Sequence, residues 1–113
     1  MIIEIEKKQD RKAFVFSIKT ESGVHIGKSK EYKAKDSTKK ALRAMKRNIA
    51  TRARIENIGT ATHFIVKSAN GMDVFQSGHV ADRETAQQYI NMLAEYLGSG
   101  DAKVRYNDLY EKI

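Results

Sequence analysis

The sequence predicts an α+β domain made of two similar halves that share one core, and three observations carry that reading. A shift of 48 positions lays Phe16 on Phe64, Ile18 on Val66, Lys19 on Lys67, Gly23 on Gly71, Ile26 on Val74 and Ser29 on Ser77. In each half, short runs of alternating apolar and polar residues precede one amphipathic helical stretch. The chain has 113 residues, 41% hydrophobic and 31% charged, which suits one soluble domain that buries ~65% of its unfolded surface. Two copies are too few for an open solenoid, so the economical arrangement is a closed pair related by a pseudo-twofold axis. The first repeat covers about residues 1–54 and the second about 55–113.

The elements follow in order. Ile3 and Ile5 alternate with Glu4 and Glu6 as in a half-buried strand, and Asp10-Arg11-Lys12 makes a polar turn. Phe14, Phe16 and Ile18 alternate with Val15, Ser17 and Lys19, and Glu21-Ser22-Gly23 turns the chain into Val24-His25-Ile26. Residues 36–49 form the first helix, with Thr38, Ala41, Leu42, Met45 and Ile49 on one buried face and Asp36 or Ser37 as its cap. Ile55 to Ile58 is a further strand. The pattern then repeats, with a hairpin at Asn70-Gly71 suited to a type I′ turn. In the second helix, residues 82–97, Ala86, Tyr89, Ile90, Leu93 and Leu97 match the buried face of the first.

The runs Phe14-Val15-Phe16-Ser17-Ile18-Lys19 through Gly23, Ser29 and Tyr32, and Phe64-Ile65-Val66-Lys67-Ser68-Ala69-Asn70-Gly71 through Ser77, resemble the tandem repeats of the YegP-like family of bacterial proteins. The resemblance covers nearly the whole chain. It implies two β-β-β-α-β units in one antiparallel sheet, both helices on one face, and Ile55 to Ile58 and Val104 to Tyr106 exchanged between units. This chain has Ala41-Leu42 and Tyr89-Ile90 where a Gly-Ile pair is usual in the family's helices. The family carries no established activity, so the resemblance implies a fold and no chemistry.

No arrangement of residues points to catalysis, so the expectation is a binding module and not an enzyme. The chain has no Cys, which excludes disulfides, thiolate metal sites and Cys nucleophiles. His25, His63 and His79 lack partners at ligand spacing, and Asp82 and Glu84 stand where a helix start favours acids. No glycine run forms a phosphate loop, and the recurrence of Ser29 as Ser77 favours a structural hydrogen bond. No cofactor or metal is expected. Met1-Ile2-Ile3-Glu4-Ile5-Glu6 lacks the basic start of a signal peptide, and no apolar run has membrane-spanning length, so the expected location is cytoplasmic and away from membranes.

Charge is the informative feature. Residues 28–54 hold 11 Lys and Arg against Glu31 and Asp36, a local balance of +9, whereas residues 1–27 carry +1 and residues 55–113 carry −3. Lys39, Lys40, Arg43, Lys46 and Arg47 share the wet side of the first helix with no acid among them, and Arg52 and Arg54 follow. A merely solvated helix mixes signs at i, i+4, so this purity points to a polyanion, nucleic acid or a nucleoprotein complex, or to an acidic protein surface. An alternative is a protein-interaction or inhibitor module. There, Tyr89, Met92 and Tyr96 widen the apolar stripe of the second helix, and Val15, Ile65 and Phe75 face away from the helices, ready for a protein partner or a second copy. Cover of that stripe by Leu109, Tyr110 and Ile113 of the same chain is the competing arrangement.

Overall fold

The described residues, 1–58 and 63–113, form eight strands and two helices in the computed structural model. In chain order these are β1 (Ile2–Lys8), β2 (Ala13–Lys19), β3 (His25–Lys28), α1 (Lys35–Asn48), a 3-10 turn (Arg52–Arg54), β4 (Ile55–Ile58), β5 (His63–Lys67), β6 (Asp73–Ser77), α2 (Arg83–Gly98), β7 (Lys103–Tyr106) and β8 (Leu109–Lys112). One sheet runs β4-β5-β6-β3-β2-β1-β7-β8. Its neighbours are antiparallel except β1 and β7, which run parallel, so the antiparallel sheet expected from the resemblance is corrected to a mixed one. The reason lies at the end of the chain. Strand β4 lies beside β5 as expected, but the corresponding place beside β2 is taken by β1, and Val104 to Tyr106 joins one strand further out.

Alternation decides which face is dry. The register sets Ile3 opposite Ile18 and Ile5 opposite Phe16, and these join Phe64 and Val66 in one apolar cluster. The cluster also contains Leu42, Met45 and Ile49 from α1 and Ile90, Leu93 and Leu97 from α2, so both helices cover the same sheet face. Helix α1 begins one residue before the expected start. Its N-cap is Ala34, and no side chain caps it; Asp36 and Ser37 lie inside the first turn, while the Thr38 hydroxyl donates to the Ala34 carbonyl at 3.0 Å.

Two register shifts, between Ile18 and Lys19 and between Val66 and Lys67, place a bulge in each of β3 and β6. Such a bulge puts consecutive residues on one face, and here both Val74 and Phe75 are buried. Phe75, expected on the open face, is therefore a core residue, its ring 6.1 Å from Phe16 and 6.1 Å from Phe64. Gly27 leaves the room. A Cβ there would lie 2.6 Å from Phe75 Cζ and 2.4 Å from the Gln76 carbonyl oxygen.

Matching turns close β2 into β3 and β5 into β6. Gly23 N donates to the Thr20 carbonyl and Gly71 N to the Ser68 carbonyl, each at 3.0 Å. Val24 N and Met72 N donate to the Thr20 and Ser68 hydroxyls at 3.1 and 3.2 Å. Only the glycines take positive φ, +93° and +84°, so Asn70-Gly71 is not the expected type I′ turn. The pair with both φ values positive is Asn107-Asp108, at 48° and 65°, which joins β7 to the unforeseen strand β8.

Asp82 caps α2, accepting from Thr85 N at 2.7 Å, and that hydrogen bond holds its carboxyl below the usual aspartate range. A group whose folded-state pKa is depressed contributes stability above its unfolded pKa and loses it as pH falls through the folded one. Asp82→Ala should lower the melting temperature at neutral pH. The difference from wild type should shrink once the pH falls below about 4. Thermal unfolding followed by circular dichroism across pH 2 to 7 checks both.

Candidate polyanion interface

Helix α1 turns its five expected phosphate contacts in two directions. Lys40, Arg43 and Arg47 are exposed on the side away from the core and make no ion pair among the described residues. Asp36 stands one turn before Lys40 without pairing to it. Lys39 and Lys46 instead turn toward the C-terminal hairpin. Glu111 on β8 pairs with Lys39 and, at 3.1 Å, with Lys35, while Lys46 Nζ donates to the Ile113 carbonyl oxygen at 2.8 Å. The two ammonium groups, Lys39 before Lys35, hold the Glu111 carboxyl below its usual range. Their contacts span 72 and 76 residues, a separation that local sequence pattern does not reveal. Of the two arginines that follow, Arg52 is exposed, whereas one Nη of Arg54 is enclosed and unpartnered among the described residues.

Beside the start of α1 lies a second cationic feature, assembled from distant segments. Phe14 on β2 and Tyr32 after β3 are joined by a reciprocal pair of backbone hydrogen bonds of 2.7 and 2.8 Å. The Phe14 ring lies 6.3 Å from that of Tyr106 on β7. All three rings are half-buried, and each carries an ammonium over its face: Lys7 over Phe14 at 5.9 Å, Lys30 over Tyr32 at 5.7 Å and Lys35 over Tyr106 at 4.5 Å. Burial pushes the Tyr32 hydroxyl up from its usual pKa. The sequence signal was there in Lys30-x-Tyr32 and Lys7 ahead of Phe14, but only the fold brings Tyr106 to them.

The five residues expected to form an apolar interface do not share a surface. Phe75 is in the core, and Ile65, opposite Gln76 in the register, is buried on the sheet face away from the helices. On α2, Tyr89 and Tyr96 are half-buried against the core, and the Tyr96 hydroxyl accepts from Lys103 N at 3.1 Å. Met92 alone of the five is well exposed. The competing arrangement is met only in part: Ile113 packs against the cluster, while Leu109 and Tyr110 are 71% and 66% exposed on β8.

Two further groupings escaped the sequence. His63 and His79 meet edge to face with ring centroids 5.5 Å apart, and among the described residues no three potential ligands gather as a metal site would need. Where β3 meets β6, a groove of about 400 Å³ is lined by His25, Lys28, Lys30, Asp73 and Gln76, among others. Asp73 is engaged by Lys67 at 3.0 Å, which leaves the groove's unpaired charge positive.

Among solved structures the chain is similar to a UPF0339 protein from Shewanella oneidensis, with a TM-score of 0.77 and 20% identity over 93% of this chain and 89% of that one. It is similar too to yegP from E. coli, described as a protein of unknown function, with a TM-score of 0.76 and 22% identity over 94% and 91%. The chain has the YegP-like fold. The YegP-like resemblance in the two Phe-initiated runs is thus met at the level of architecture, an α+β domain with two helices on one mixed sheet. No protein-family model matches the chain, and no curated protein does. Among the described residues, no helix is long and apolar enough to cross a membrane.

Proposed function

We propose that this protein is a duplicated, non-enzymatic binding module that engages nucleic acid through Lys40, Arg43 and Arg47 on the outer face of α1. The duplication is supported at the centre of the sheet, where Lys28 pairs with Gln76, its own counterpart 48 positions on, as a residue at a twofold axis must. It is supported also by Ser29 and Ser77, whose hydroxyls accept from Phe16 N and Phe64 N at 3.0 and 2.8 Å and donate to the next carbonyl. Against that background the observation that carries the functional reading is a difference. The positions matching Lys40, Arg43 and Arg47 in α2 are Gln88, Asn91 and Glu95, all exposed. A helix of the same fold stands in the same setting without any of the three cations. The positive stripe is therefore not needed for folding, and phosphate is the partner that rewards unmixed, unpaired cations.

The test is binding of labelled DNA and RNA oligonucleotides at low and moderate salt by fluorescence anisotropy. Changing Lys40→Glu, Arg43→Glu and Arg47→Glu together should remove at least about tenfold in affinity at low salt while leaving the far-ultraviolet spectrum unchanged. Binding that survives the triple reversal would reject the stripe as the contact surface. Absence of binding by the wild type at low salt would reject nucleic acid, and an acidic protein surface would take its place.

A further inference from the structure

Resting on that reading, we infer that the favoured ligand is single-stranded, because Phe14, Tyr32 and Tyr106 form a stacking platform for unpaired bases next to the phosphate-binding helix. The three rings pack against the core on one side and stay partly open to solvent, and each is served by a lysine. Lys35, in the first turn of α1, lies over Tyr106 and pairs with Glu111, so the rings adjoin the start of the helix. A strand whose phosphates follow α1 can thus set its bases against these rings. On arrival of a base, the ammonium of Lys7 or Lys30 moves aside from its ring to the adjacent phosphate, exchanging one cation–π contact for a charge-assisted hydrogen bond, while Lys35 stays paired with Glu111.

A duplex cannot use such a platform, since its bases are already stacked and paired inside. Electrostatics alone favours the duplex, which has the higher charge density. Preference for a single strand is therefore the signature of stacking rather than of charge. Stacking on aromatic side chains tolerates any base, so no strong sequence preference is expected.

The chain has five Tyr and no Trp, which makes tyrosine emission its intrinsic reporter. Oligo(dT) of 12 nucleotides and a mixed-sequence duplex of the same length serve as probes at matched salt. The single strand should bind at least about tenfold more tightly and quench tyrosine emission. Tyr32→Leu and Tyr106→Leu, which keep apolar volume, should each lower single-strand affinity about tenfold, leave duplex affinity unchanged and leave the salt slope as in wild type. Tyr110→Leu, on exposed β8, serves as the control and should do nothing. Equal affinity for strand and duplex, or leucine variants that bind oligo(dT) like wild type, would overturn the platform; duplex binding lost on reversal of the α1 stripe would show that the underlying reading stands without it. If neither probe binds, both fail together.

Discussion

Gly27→Ala should be among the most damaging single substitutions in this protein, at or above the upper end of the roughly 1–3 kcal/mol typical of overpacking. The added carbon would meet the Gln76 carbonyl oxygen at 2.4 Å and Ser77 Cα at 2.7 Å, and both are backbone atoms that cannot rotate away. Relief requires β3 and β6 to separate. Gly27 pairs with Ser77 and Lys28 with Gln76 across that seam, and Gly78 N donates to the Ile26 carbonyl at 2.8 Å. Urea unfolding should show a large fall in the midpoint, and amide exchange should quicken first on both sides of the seam. Phe75→Leu in the same chain should restore little, because it clears only the side-chain part of the clash. Full rescue by leucine would mean that the ring alone is the obstacle and that the seam tolerates a wider spacing.

Phe75→Ala should cost about 3–5 kcal/mol, the usual range for deleting a buried phenyl ring. Its ring is nearly inaccessible to water and lies between Phe16 and Phe64, so truncation leaves a cavity at the middle of the core. Chemical denaturation of the variant measures this directly. A change within about 0.5 kcal/mol, ordinary for surface positions, would return Phe75 to the open sheet face.

That residue shows where sequence reasoning reaches its limit. Helix α1 lies within one residue of its expected bounds because Ala41, Leu42, Met45 and Ile49 recur at helical spacing, and β1 and β2 were legible because Ile3, Ile5, Phe16 and Ile18 alternate strictly. Phe75 follows a bulge, and one inserted residue inverts every later assignment that counts by twos. Strand β8 was missed for a different reason. Leu109, Tyr110, Glu111 and Lys112 form a short edge with little burial, so their strand conformation comes from pairing with β7 and from the Asn107-Asp108 turn.

The candidate site was legible in part for similar reasons. Sign purity along α1 marked the helix correctly as cationic, but sequence alone could not separate Lys40, Arg43 and Arg47 from Lys39 and Lys46. That division depends on Glu111 and Ile113, which reach α1 only after the whole second half has been placed. The aromatic platform depends likewise on β7 lying beside β1, a parallel pairing that brings Tyr106 to Phe14.

The most direct measurement is the dependence of binding on salt. Log K for a duplex oligonucleotide, measured at several salt concentrations, should fall linearly with log salt, and each phosphate neutralised contributes about 0.9 to the slope. Replacing Lys40, Arg43 and Arg47 by Gln, Asn and Glu, the residues that α2 carries at the matching positions, should flatten the slope by between about two and three. A slope that the replacement leaves unchanged would contradict the assignment of phosphate contact to the outer face of α1.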